Sequence, residues 1–328
     1  MDNMNMHRGL ALRQELEIAG NFIYDGMCDL DRMNNYLEDE NIFSFLYKIS
    51  VGVERLQKIA LVLLKSPHES GYETIEKELK THSHTELQRK IKELANLNIS
   101  KDENELIHML CSFYKAYRYN RFNSNTKITG ERNIFIQYIE KRLKKIIETK
   151  GIFAELVARI DEEDKQFLGK IIGSIVSRYY ELIRDQCGRL NIYTYELKPR
   201  SKSMKIFQRD CNEKNLRQQF IKEQIAYKEF MIFLINTTKS SGLYDFIKEI
   251  PPLDIDISLI QDYLFEIIRG DISQDLIDTI YALYSEQEDG FNLKERLESL
   301  KCIGDPNYCF TDEDDCFDDL SDPGFRVS

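Results

Sequence analysis

Three cations, Lys115, Arg118 and Arg121, recur at every third position of YKAYRYNRF, interleaved with Tyr114, Tyr117, Tyr119 and Phe122. At helical spacing they lie on neighbouring parts of one face. A guanidinium can grip a phosphate through two parallel hydrogen bonds, and aromatic faces can stack bases, so this stretch is suited to RNA or a nucleotide. Asn123 follows directly and could orient a phosphate, although an amide cannot shuttle a proton at neutral pH. Cations also gather near helix C-termini for the macrodipole alone. Both readings stand on the sequence.

A second constellation lies in LYKISVGVERLQKIALVL. Glu54 interrupts a very apolar surface, and a buried carboxylate needs a partner. Lys58, four residues on, supplies one within the helix. Glu54 is also placed to face the basic stretch at 115–121. Proton transfer near neutral pH would fall to histidine. His82, His84 and His108 are the candidates, with a helix-end hydrogen bond as the plainer role for His82. His108 precedes Arg118 by ten residues, roughly 15 Å along a helix axis, so one phosphate cannot touch both within one chain. Antiparallel pairing of two copies could join them. His82 and His84 are two apart and share no helical face, which does not make a metal pair. Nor does the chain carry a P-loop, a Rossmann glycine pattern, a Gly-x-Ser-x-Gly elbow or HExxH, so no cofactor and no metal is expected.

These residues must be positioned by helices. Residues 10–37 read as a first helix and 41–65 as a second, apolar on nearly every side and therefore central. Gly52 within it costs about 1 kcal/mol relative to Ala, which a close helix crossing would offset. Pro67 ends it. A third helix is expected over about 78–96 and a fourth from Lys101 to about 122. The polar NSNTKITG marks a boundary. Helices follow at 131–148, 166–186 and 216–238. NIYTYEL and MKIF, joined by the basic KPRSK, read as one small β-hairpin near 190–208. The cations Lys141, Arg142, Lys144 and Lys145, with Lys198, Arg200, Lys202 and Lys205, form either a solvated face or, where they converge, a second surface for anions.

Composition bounds the alternatives. The chain has 328 residues, 6 prolines and 15 glycines, which permits long helices and a sizeable core. The formal net charge of −11 disfavours non-specific nucleic-acid binding and confines any such role to a local basic patch. No apolar run is long enough to span a bilayer, and the N-terminus lacks a secretion signal. Cys28 and Cys111, in amphipathic helical patterns, fit buried free thiols in a reducing compartment. A cytoplasmic protein with no membrane association is expected.

Three segments carry a family resemblance. LYKISVGVERLQKIALVL is similar to the second-helix pattern of HEPN domains, in which a Gly-x-Glu core precedes a Lys and an apolar run. THSHTEL resembles the Thr-His-polar-Leu segment that opens a later helix of the family. YKAYRYNRF resembles its closing helix, here through Ala116, Tyr117, Arg118 and Tyr119. The segments occur in family order and cover about residues 10 to 125. The resemblance implies a HEPN-like antiparallel helical bundle in a prokaryotic antiviral defence or toxin–antitoxin setting, as a homodimer or beside a protein partner. Ribonuclease members carry an Arg and, after four to six intervening residues, a His. After Arg118 those positions hold Asn123, Ser124 and Asn125, and after Arg121 they hold Thr126, Lys127 and Ile128. The motif is absent.

The expected organisation is therefore all-α: a HEPN-like bundle at 1–128, a second helical region at 129–304, and an acidic tail at 305–328. The leading expectation is binding of RNA, a nucleotide or a partner protein without the standard catalytic pair, through Glu54, Lys58, Lys115, Arg118, Arg121 and Asn123. One alternative is a metal-independent endoribonuclease in which Arg118 steadies phosphate and His82, His84 or His108 moves the proton. Another is a structural subunit whose acidic tail docks on a basic partner.

Overall fold

The computed structural model describes residues 3–65, 72–117, 130–151, 154–192, 197–208, 215–238, 242–286 and 292–303. Its organising element is the helix α2 (Asp39–Lys65), roughly 40 Å long. Asp39 and Glu40 open it and Lys65 closes it, complementing the helix dipole at both ends. Ile42, Phe45, Leu46, Ile49, Val53, Leu56, Ala60 and Leu63 bury more than one face, as the near-continuous apolar pattern requires. Helices α1 (Asn3–Arg32), α4 (His84–Leu94), α5 (Lys101–Ser112), α6 (Gly130–Leu143) and α8 (Glu162–Leu190) pack around it. Gly52 marks the crossing with α1: a Cβ there would lie 2.5 Å from Ile23 Cγ1 and 3.1 Å from the Ala19 carbonyl.

Between α2 and α4 the chain forms the short α3 (Tyr72–Leu79) and then leaves helical geometry at Thr81–Ser83. The single helix expected over 78–96 is thus two helices. Ser83 restarts the chain as N-cap of α4, accepting from the backbone N–H of Glu86. Ser100 starts α5 with a full capping box, its hydroxyl and the Glu103 carboxylate each bonding the other's backbone N–H. Glu103 also accepts from Ser174 at 2.5 Å and Arg178 at 3.1 Å, which ties α5 to α8. After Ser112, α5 widens into a π-helical turn, Phe113–Tyr117.

One hydrophobic core runs through α1, α2, α4, α5, α6 and α8, across the boundary expected near 128. The first compact unit extends to Glu223. The start of α10 (Leu216–Asn236) is held within it by Arg217, 7% exposed, which bonds Asp31 and Glu162. The expected hairpin needs correction. Its second strand is instead helix α9 (Lys202–Phe207), capped by the Ser201 hydroxyl, and packs on α1 so closely that a Cβ on Gly20 would lie 2.6 Å from Ser203 Cα. The first strand falls largely on 193–196, outside the described residues. Helix α7 (Ala154–Val157) precedes an isolated antiparallel bridge, Asn35 with Arg159, and the described residues contain no sheet.

The second unit, Gln224–Ser328, holds the rest of α10, then α11 (Gly242–Glu249), α12 (Ile260–Ile268), α13 (Gln274–Glu286) and α14 (Leu293–Cys302). Among its described residues only Tyr263 is buried, its hydroxyl 3.0 Å from Thr279 Oγ1. The acidic tail lies outside the described residues. No helix among the described residues is long and apolar enough to cross a membrane.

Candidate functional site

The break at Thr81–Ser83 brings two histidines onto α2 with opposite fates. His82 stays at the surface, its side chain 59% exposed, and donates from Nδ1 to the Glu54 carboxylate at 3.1 and 3.3 Å. Lys58 approaches the same carboxylate at 2.7 Å, the expected pairing within the helix. Glu54 is only 6% exposed, so these two donors meet the need of a buried charge. Arg55, the neighbour of Glu54, turns away to Glu15 and lies 5.9 Å over the Phe22 ring.

The π turn supplies the opposite wall. The Tyr114 ring centroid is 5.6 Å from that of His82 and 6.3 Å from that of Tyr47, the latter stacked at 16°. Tyr47 in turn stacks on Phe43. An exposed imidazole oriented by a carboxylate, with an ammonium and an aromatic row beside it, therefore lies against the body of α2, where α4 begins and α5 ends. Lys115 is exposed on the same turn. It acts on α4: the Glu86 carboxyl sits below its ordinary value, first through the Thr81 hydroxyl, then through Lys90 and the charge of Lys115. Arg118, Arg121 and Asn123 lie outside the described residues.

His84 faces inward and is fully buried. Its Nε2 donates to the Ser50 carbonyl at 2.9 Å, and the Gln57 amide spans the His84 carbonyl at 3.1 Å and the Tyr179 hydroxyl at 3.0 Å. Burial pushes that hydroxyl above its usual value. Of the expected proton carriers, His84 is thus enclosed in the core and does not reach an outer ligand. His108 is exposed on α5, and its ring takes no part in the contacts joining Glu54, His82 and Tyr114. Of these three histidines, only His82 is both exposed and bonded to the Glu54 carboxylate.

Five of the eight cations considered as a second surface for anions are paired with acids. Lys141 meets Glu105, Arg142 meets Asp102 and Glu105, and Lys145 meets Asp161 and Asp164. Lys202 and Lys205 bond Asp25 and Glu223, with both ammonium groups within 5.4 Å of the Tyr24 ring centroid. No group of three or more His, Cys, Asp or Glu able to hold a metal ion occurs among the described residues.

Sequence reasoning missed Tyr47, Ser83, Thr85 and Cys111 as parts of this region. Only Ser83 left a signal, the Ser-x-x-Glu pattern of Ser83 and Glu86, which marks a helix start inside a stretch otherwise read as continuous helix. The chain was compared with known family models, curated proteins and solved structures, and it matches none of them.

Proposed function

We propose that this chain is a HEPN-like protein that binds an anionic ligand, RNA or a nucleotide, beside Glu54 of α2 without the family's standard Arg–His pair. The supporting observation is the gathering of Lys58 and His82 on the buried Glu54 carboxylate, with Tyr114 against the His82 ring and the exposed Lys115 next to it in the π turn. Lysine ammonium groups meet phosphate oxygens, and Tyr47 and Tyr114 offer faces for bases. Arg118, Arg121 and Asn123 extend this set in the sequence. The family resemblance places such a protein in prokaryotic antiviral defence or a toxin–antitoxin pair, as a homodimer or with a protein partner.

The contact of His82 with Glu54 favours one second reading, metal-independent RNA cleavage. A carboxylate on Nδ1 fixes the ring and leaves Nε2 to take the proton of a 2′-hydroxyl. In that reaction the 2′-oxygen attacks the adjacent phosphorus, the P–O5′ bond breaks to leave a 2′,3′-cyclic phosphate, the 5′-oxygen takes a proton from water, and Lys58 and Arg118 steady the phosphate charge. Binding and cleavage of a mixed RNA pool in EDTA, with Lys58→Ala, His82→Ala and Arg118→Ala beside the wild type, separate the two. Binding weakened by Lys58→Ala with no cleavage supports the binding protein. Cleavage lost in His82→Ala supports the ribonuclease. A wild-type chain that binds neither RNA nor nucleotides contradicts both.

A further inference from the structure

The second unit does not bury the core that its sequence could build. Among the described residues, twenty of its large apolar side chains keep a third or more of their surface in solvent, against four in the first unit, and only Tyr263 is buried. Helix α10 is the extreme case. Ile225, Phe230, Ile232, Phe233 and Ile235 are 49–76% exposed, and at helical spacing they point to every side of the axis. A helix that is apolar all round is stable when it is enclosed. The exposed stretch from Ile225 to Asn236 is roughly 18 Å long, well short of the roughly 30 Å of a bilayer core, so a membrane span does not supply the cover.

Charge and area narrow the choice of cover. Helices α12 and α13 carry Asp262, Glu266, Asp275 and Asp278 and no cation, which disfavours nucleic acid or an anionic membrane. The exposed part of α10 is balanced, with Lys228 beside Glu229 and no charge from Phe230 to Asn236, so two copies of it meet without like-charge repulsion. A fully exposed large apolar side chain presents on the order of 150 Å² or more. Seven such side chains on α10, about half exposed, therefore offer on the order of 600 Å², and the whole unit on the order of 1,500 Å². A stable pair needs about 800 Å² from each copy. Helix α10 supplies most of that, and exposed stripes such as Leu293, Leu297 and Leu300 of α14 supply the rest.

We infer that the second unit is a self-association module whose occupant is a second copy of this chain, with α10 crossing its counterpart about a two-fold axis near Phe230. Such a contact uses the same patch on both copies and closes on itself, so it ends at a pair and does not grow into a fibre. The apolar stripes of α11 to α14 complete the cover of the crossed helices, which gives the unit the central apolar helix and amphipathic surround that the first unit builds around α2 within one chain. The inference draws on neither the Glu54–His82 site nor the family resemblance.

The test uses the full chain at micromolar concentration. Analytical ultracentrifugation should find a species of twice the chain mass. A lysine-reactive cross-linker should join Lys228 to Lys228, a link between identical peptides that only two chains can make and that needs no variant. Phe230→Ser combined with Phe233→Ser should weaken the pair by at least about 100-fold, with the amides of α2 still protected from hydrogen exchange. Leu10→Ser, at an isolated exposed side chain of the first unit, should leave the pair unchanged. A monomer at every concentration, an open-ended assembly, a pair without the Lys228 self-link, or a pair that the double variant leaves as tight as the wild type would each overturn the inference.

Discussion

Replacing Glu54 with Gln preserves the shape of the side chain and removes its charge, which separates the roles of this carboxylate. In the native bundle it is 6% exposed, with Lys58 at 2.7 Å and His82 at 3.1 Å. A hydrogen bond to a charged group contributes about 1.5–3 kcal/mol and a neutral one about 0.5–1.5 kcal/mol, so the Lys58 contact loses about 1 kcal/mol. The His82 contact, with its ring largely in solvent, adds less than about 1 kcal/mol. A total of about 1–2 kcal/mol corresponds to a fall in Tm of roughly 2–8 °C for a unit of this size, readable by circular dichroism. Ligand binding should move the other way. Without the carboxylate the site gains one positive charge, and an anionic ligand held by Lys58 should bind two- to five-fold more tightly, on the order of 0.5–1 kcal/mol. Cleavage that depends on the orientation of His82 would fall by about 100-fold in the same variant. An unchanged Tm together with unchanged RNA and nucleotide affinity would refute the view that Glu54 organises this site.

Further consequences follow from the frame around the site. Ser83→Ala removes the cap of α4 and should cost about 1 kcal/mol in chemical denaturation, with Thr85→Ser close to neutral as a control. Arg217→Ala removes the buried ion pair with Asp31, 7% exposed, and should cost about 3–5 kcal/mol, releasing the start of α10 to proteolysis. Gly52→Ala gains helix propensity but drives a Cβ to 2.5 Å from Ile23, so it should lower Tm where an open site would raise it. Glu103 governs an acid transition. Burial raises its carboxyl, but the Ser174 hydroxyl, the Ser100 N–H and Arg178 outweigh burial and hold it below its ordinary value of 4.5. Its contribution is therefore complete above pH 4.5 and lost as pH falls through the depressed folded value, and Glu103→Gln should flatten the loss of Tm below pH 4.5.

The parts of this fold that were legible in the sequence are those set by local spacing. The apolar surround of α2, the close crossing at Gly52 and the Glu54–Lys58 pair each follow from helical periodicity and the cost of a buried charge. What joins distant segments was not legible. His82 reaches Glu54 from 28 positions away, and nothing in THSHTEL says which histidine turns outward. The break before α4 decides this, because it places His82 before the cap and His84 after it. The cations Lys141 and Arg142 of α6, and Lys145 just after it, look like a free basic face until α5 and the start of α8 bring acids against them. The segment MKIF carries strand-like residues, yet Ser201 caps it as a helix and Gly20 admits that helix against α1. Cys111 reads as an ordinary buried thiol, since its partners come from another helix.

The most direct test of the central claim is equilibrium binding of mixed-sequence RNA and of nucleotides to the purified chain in EDTA, comparing the wild type with Lys58→Ala combined with Lys115→Ala. For a protein of net charge −11 the affinity should be salt-sensitive, and the double variant should bind at least about ten-fold more weakly while keeping the wild-type circular dichroism spectrum. A correctly folded double variant with wild-type affinity, or a wild-type chain that binds neither ligand at low salt, would contradict an anion-binding site beside Glu54 of α2.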